Sequence, residues 1–121
     1  MIGYVTIGSN DFEKSKAYYD ALLAELGGKR SFANEHMQGY SGRRGAMLAV
    51  CIPNDGKAAT VGNGTMFALP AADHATVDKV HAKAMALGSK DEGAPGDRGN
   101  GFYGAYFRDP DGNKLCVFKM G

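Results

Sequence analysis

The chain has 121 residues, with 14 lysines and arginines against 13 aspartates and glutamates, for a formal net charge of +1. That length is one domain with room for its own core. Charges of both signs are spread along it, and no basic cluster exists to neutralise a run of phosphates, so a nucleic-acid surface is excluded. The opening Met1-Ile2-Gly3-Tyr4-Val5 has no basic flank and no long apolar stretch. Neither export nor membrane insertion is expected from it, and a cytoplasmic protein is. Two distant cysteines, Cys51 and Cys116, make neither a disulfide framework nor a zinc-spacing motif.

In chain order, an apolar stretch from Ile2 to Ile7 reads as a strand. Asp11 then caps a predicted helix over about residues 12–26, ended by Gly27-Gly28. "GAMLAV", 45–50, reads as the last strand of the first half. After a connecting stretch, Thr65 to Leu69 is a second opening strand. Asp73 is a second cap, Val77, Val80, Ala84 and Leu87 form an apolar stripe, and Gly88 ends the helix.

The chain is one unit written twice. Tyr4 lies over Met66 and Asp11 over Asp73, both 62 residues apart, whereas Gly45, Leu48 and Val50 lie 67 residues before Gly112, Leu115 and Val117. The second copy therefore carries five extra residues, which fall in the glycine-rich "DEGAPGDRGNG", 91–101. Each copy reads strand, helix, three strands. Units of this size are marginal alone, so two βαβββ modules, 1–52 and 64–121 around a linker at 53–63, are expected to share one core.

Near the end stands "RDPDGNKLCVF", 108–118. Proline and glycine in Asp-Pro-Asp-Gly-Asn are strong turn chemistry, and the residues after it alternate as a strand. Together with "DFEKSKAYYDALLAELGG" and "YFRDPDGNKL", this resembles the vicinal oxygen chelate superfamily: glyoxalase I, bleomycin-resistance proteins, extradiol dioxygenases and small bacterial relatives. The resemblance covers nearly the whole chain. It implies an α+β fold in which two βαβββ modules form a curled mixed sheet, with helices on the outer face and the site on the concave face.

Catalytic members of that superfamily hold a divalent metal on the first and last strands of each module. Matched by repeat, those positions are Tyr4, Ala49, Met66 and Cys116, where the resemblance implies histidine at the first and glutamate at the last. A phenol, a methyl, a thioether and one thiol are not a donor set for iron, manganese, nickel or zinc in that geometry. No metal and no cofactor are expected. The three histidines are not expected to supply the missing donors: His74 follows a helix cap, His81 flanks a helix stripe, and His36, in a short hairpin segment, could approach the cleft from a partner chain.

Strand alternation puts Tyr4 with Thr6, Met47 with Ala49 and Cys51, and Met66 with Ala68, with Cys116 and Phe118 completing the wall of a cleft. The opposite phase (Val5, Ile7, Leu48, Val50, Phe67, Leu69, Leu115, Val117) is aliphatic and suits packing on helices. Two readings of the first set stay open. It lines a ligand cleft, as the hydroxyls of Tyr4 and Thr6 suggest, or it is core filler. A cleft-lining Cys116 would be reachable by small neutral reagents, and a core one would be inert. Arg43 and Arg44 in the turn before the fourth strand read as solvated, or as holders of an anion. Residues 91–101 read as a mobile loop or a lid carrying Arg98.

The expected protein binds a small, partly apolar molecule in the inter-module cleft, as bleomycin-resistance-type relatives do, and pairs as a homodimer. The alternative is a metal-dependent lyase or dioxygenase of the glyoxalase I kind. A structural subunit with a filled cleft is the third reading.

Overall fold

The computed structural model, which describes residues 1–121, has the element order β1 (Tyr4–Gly8), α1 (Phe12–Ala24), β2 (Lys29–Ala33), β3 (Met37–Ser41), β4 (Met47–Cys51), β5 (Phe67–Pro70), α2 (His74–Ala86), β6 (Lys90–Asp97), β7 (Phe102–Arg108) and β8 (Lys114–Met120). The βαβββ unit occurs twice. Each makes its own four-stranded mixed sheet, ordered β1-β4-β3-β2 and β5-β8-β7-β6, so that β1 and β5 are edge strands. In each sheet the first strand runs parallel to the last and the others are antiparallel. This is the expected fold class, with its curled sheet divided into two halves.

Both helices begin and end as their sequences dictate. The Asp11 carboxylate accepts from the Lys14 amide at 3.2 Å, and Asp73 accepts from the Thr76 amide at 2.8 Å and its hydroxyl at 2.6 Å. At the far ends Gly27 and Gly88 take φ of +74° and +92°, conformations that cost an L side chain dearly. The residue after each closes the helix, with Gly28 donating to the Leu23 carbonyl at 2.8 Å and Ser89 to that of Ala84 at 2.9 Å.

The core is a single cluster drawn from both modules. Ile7, Leu48 and Val50 of the first sheet, Ala105, Phe107, Leu115 and Val117 of the second, and both helices all enter it. Helix α1 packs on β2 and β4, α2 on β6, β7 and β8, and the helices touch each other. They therefore form a double layer between the sheets. This explains why α1 buries the adjacent Tyr18 and Tyr19 as well as Leu22 and Leu23, a wider face than one sheet alone would cover. In α2 the buried stripe is Val77, Val80, His81 and Ala84. Leu87, expected in that stripe, lies one residue past the helix and is exposed, because the chain has already turned toward Gly88.

The Asp109–Asn113 turn has a structural task that its sequence did not announce. Asp109 is buried, and its carboxylate accepts from Tyr19 Oη at 2.6 Å, from the amides of Asp111 and Asn113 at 2.9 Å each, and from Asn113 Nδ2 at 2.9 Å. Burial first, and the Asp109 charge second, hold the Tyr19 phenol well above its ordinary range, so it remains a donor. Asp111 accepts from the Ser15 hydroxyl at 2.9 Å and the Asn10 amide at 2.8 Å, and Asn113 Nδ2 also donates to the Gly8 carbonyl at 3.0 Å. The turn thus pins the end of β1 and the start of α1 to the second module.

The extra residues of the second module are not a lid. The helix-ending glycines, Gly27 and Gly88, are 61 apart, so the excess after the helices is six residues. All of it lies in a longer hairpin: β6 has eight residues where β2 has five, β7 has seven where β3 has five, and the connecting turn is one longer. Register shifts between Asp91 and Gly96 bend β6 as it pairs with β7. No helix is long and apolar enough to cross a membrane.

Candidate functional site

Each sheet has one face against the helices and one turned away from them. On the first sheet the outward set is Tyr4, Thr6 and Gly8 of β1 beside Met47, Ala49 and Cys51 of β4, paired Tyr4 to Met47, Thr6 to Ala49 and Gly8 to Cys51. On the second it is Ala68 and Pro70 beside Cys116 and Phe118, followed across β7 by Tyr106 and Gly104. Met66, one residue before β5, is on the same side as Ala68 and is exposed. The residues expected to line one cleft therefore fall into two groups, each on a sheet face pointing away from the shared core. A single chain does not bring them together. Sequence alternation assigns faces within a module, and only the long-range packing of the modules decides whether two faces meet.

The faces are open and mostly apolar. Tyr4 is 59% exposed, and Phe32, Met66 and Met120 are exposed as well. Met47 lies across Gly39, where an added β-carbon would stand 2.5 Å from its sulfur. Phe118 stacks on Phe102, with ring centroids 5.3 Å apart and planes 6° from parallel. Ala49 and Cys116, expected in the cleft wall, are each 0% exposed. Burial pushes the Cys116 thiol up, and the Tyr106 side chain, Arg98 and Lys114 pull it partly back. Iodoacetamide is therefore expected to label Cys51, which is half-buried at a cavity wall, and to spare Cys116 until the chain unfolds. Peptide mapping after native labelling checks this, and equal labelling of both would put Cys116 at the surface.

An open cavity of about 910 Å³ adjoins the first sheet's outward face, lined by Thr6, Gly8, His36, Met37 and Cys51 and roofed by residues 52–60. Nothing in the sequence reading pointed to the connecting segment as a wall. The signal lay in Gly8 and Asn10. A β-carbon at Gly8 would stand 2.7 Å from that of Ala59, so only glycine lets the segment approach. Asn10 then holds it from both sides, donating from Nδ2 to the Ala59 carbonyl at 3.1 Å and accepting from the Ala59 amide at 2.7 Å.

The histidines stand apart from one another. His36 is exposed at the cavity rim, and His74 stacks on Tyr103 with centroids 4.0 Å apart. His81 is buried, its Nε2 lying 3.1 Å from Asp91 Oδ1. Arg43 and Arg44 are exposed in the β3–β4 turn without an acidic partner.

Two βαβββ modules with helices behind and open apolar sheet faces in front define the class to which the chain conforms. The profile of the Glyoxalase/Bleomycin resistance protein/Dioxygenase superfamily matches residues 1–117, and the chain belongs to that superfamily. It is similar to the crystal structure of a glyoxalase/bleomycin resistance protein from Albidiferax ferrireducens T118, with 38% identity, TM-score 0.92, and coverage of 100% of this chain and 99% of that one. A putative glyoxalase from Bacillus halodurans (22% identity, TM-score 0.80, 98% and 95% covered) shares the fold. So does a lactoylglutathione lyase from Agrobacterium tumefaciens (22% identity, TM-score 0.75, 98% and 92% covered). No curated protein matches the chain.

The divalent metal that the superfamily implies does not fit the residues present. At the four corresponding positions the side chains are an exposed phenol (Tyr4), a buried methyl (Ala49), an exposed thioether (Met66) and a buried thiol (Cys116). Hard and borderline divalent ions need several oxygen or nitrogen donors at one point.

Proposed function

We propose that the protein is a cytoplasmic member of the superfamily that binds a small, partly apolar molecule without the usual metal. The observation carrying this is the pair Ala49 and Cys116, buried at positions where a metal-dependent relative needs exposed donors. Around them the outward faces offer flat rings and thioethers with few polar groups, the composition of a pocket that holds its ligand by shape and burial.

The same proposal requires a homodimer. Each chain presents two half-sites facing away from its own core, and each half-site ends at an edge strand, β1 or β5. A second copy that sets its β5 sheet opposite the β1 sheet of the first closes two clefts at once by two-fold symmetry. The exposed Tyr4, Phe32, Met66 and Met120 are then covered, which accounts for apolar area that a monomer would leave wet.

Native mass spectrometry of protein purified without chelators tests both parts. The expected species is a dimer with no stoichiometric metal. Close to one nickel, zinc, iron or manganese per chain would overturn the metal-free reading and favour a lyase or dioxygenase. A monomer at micromolar concentration would overturn the shared cleft.

A further inference from the structure

The outward face of the second sheet carries two cations at one tyrosine ring, neither in an ion pair with a carboxylate. Arg98, in the β6–β7 turn, folds back over the Tyr106 ring with its guanidinium carbon 5.4 Å from the centroid, and Lys114 Nζ from β8 lies 5.5 Å from the same centroid. Neither takes part in an ion pair, although Arg30, Arg108, Lys16 and Lys90 all do.

Arg98 is also seated. Its Nη2 donates to the Ala94 carbonyl at 2.7 Å. Beneath it β6 has glycines, and a β-carbon would come within 2.9 Å of Nη1 at Gly96 and 3.2 Å of Nη2 at Gly93. A side chain at Gly96 would displace the guanidinium, and one at Gly93 would press on it and on the Tyr106 ring, 3.0 Å away. The glycines that made 91–101 read as a loop instead clear a bed for one arginine. A guanidinium held by the Ala94 carbonyl, with donors left over and a second cation at the same ring, is suited to a planar oxyanion, which a guanidinium grips through two parallel hydrogen bonds.

Apolar surface continues from this corner. Lys114, Cys116 and Phe118 alternate along β8, so the stacked Phe102–Phe118 pair lies about 13 Å from Lys114 along the strand, at roughly 3.3 Å per residue. We propose that Arg98 and Lys114 form an anion-holding corner of the cleft, and that the ligand is a flat, apolar molecule bearing a carboxylate. This names the ligand class for the cleft proposed above and rests on that reading.

Three probes separate the possibilities: 2-naphthoate, its neutral analogue 2-naphthamide, and inorganic phosphate. Each is titrated into the isotope-labelled full chain while the Arg98 Nε–H and the β8 amides are followed by NMR. Naphthoate is expected to move both sets of signals and to bind at least about tenfold more tightly than naphthamide, the order of difference a charge-assisted pair supplies. Arg98→Gln is expected to remove that difference, by weakening naphthoate more than naphthamide. Because Arg98 is exposed, the variant keeps its fold, which an unchanged amide spectrum verifies. Lys114→Gln gives an independent second reading of the same loss. Equal affinity for the two naphthalene probes, or naphthoate binding unmoved in both variants, overturns the anion corner and leaves the small-molecule cleft standing. Phosphate binding as tightly as naphthoate overturns the preference for a flat carboxylate. Failure of all three to move any signal on the outward faces overturns the corner and the cleft together.

Discussion

Asp109→Ala is expected to destabilise the fold by about 3–5 kcal/mol, with one or two buried donors left unpaired at ~1–3 kcal/mol each. The side chain is 5% exposed and serves Tyr19 Oη, Asn113 Nδ2 and two backbone amides. Tyr19, whose hydroxyl loses this acceptor, is fully buried. Tyr19→Phe removes one donor and leaves the carboxylate its other three partners, so its cost is smaller, about 1–2 kcal/mol. The two changes share a bond, and the double variant should fall short of their sum by about 0.5–3 kcal/mol. Urea unfolding of the four proteins measures all of this. A loss under about 1 kcal/mol in Asp109→Ala would show that the turn is not a lock between the modules.

The second large effect separates the two faces of one sheet. Phe107 on β7 is fully buried in the shared core and packs edge-on to His81, with centroids 6.3 Å apart. Phe107→Ala is expected to cost about 3–5 kcal/mol, since the removed ring leaves a cavity among Leu115, Val117 and the residues of α2. Phe118 on the neighbouring strand points the other way and is half-buried. Phe118→Ala should cost about 1 kcal/mol in stability, the price of partial burial and one ring stack, and yet abolish naphthoate binding. Denaturant midpoints and the NMR titration together test the contrast. If Phe118→Ala costs as much stability as Phe107→Ala, the outward face is core and holds no ligand.

Much of the fold is legible in the residues. Asp11 and Asp73 announce their helices, Gly27 and Gly88 end them, and the repeat of Leu48-Val50 in Leu115-Val117 marks matching strands with matching inner faces. These are local signals, and local chemistry decides them. The separation of Tyr4 from Cys116 onto different sheets is not local. It depends on Tyr19 reaching Asp109 and Asn113 reaching Gly8, across 90 and 105 residues. Gly93 and Gly96 read as loop for a different reason: glycine is rare in strands, and the Tyr106 ring and the Arg98 guanidinium packed over them occupy the space that side chains would take. The burial of Cys116 follows from its neighbour Tyr106, which no single-strand pattern reveals.

The turn that ties β1 and α1 to the far end of the chain also bears on how long the protein stays folded. Hairpins β3–β4 and β7–β8 close over short stretches, whereas the bonds from Asn10 to Asp111 and from Ser15 to Asp111 span 101 and 96 residues. Contacts that span the whole chain carry the largest loop-closure cost, and on that ground this junction is expected to form after the rate-limiting step. Weakening it should then leave the refolding limb of a chevron plot nearly unmoved and steepen the loss of native protein, so that Asp109→Ala is read chiefly as a faster unfolding rate. On this account Asp109 is the residue that sets the molecule's lifetime.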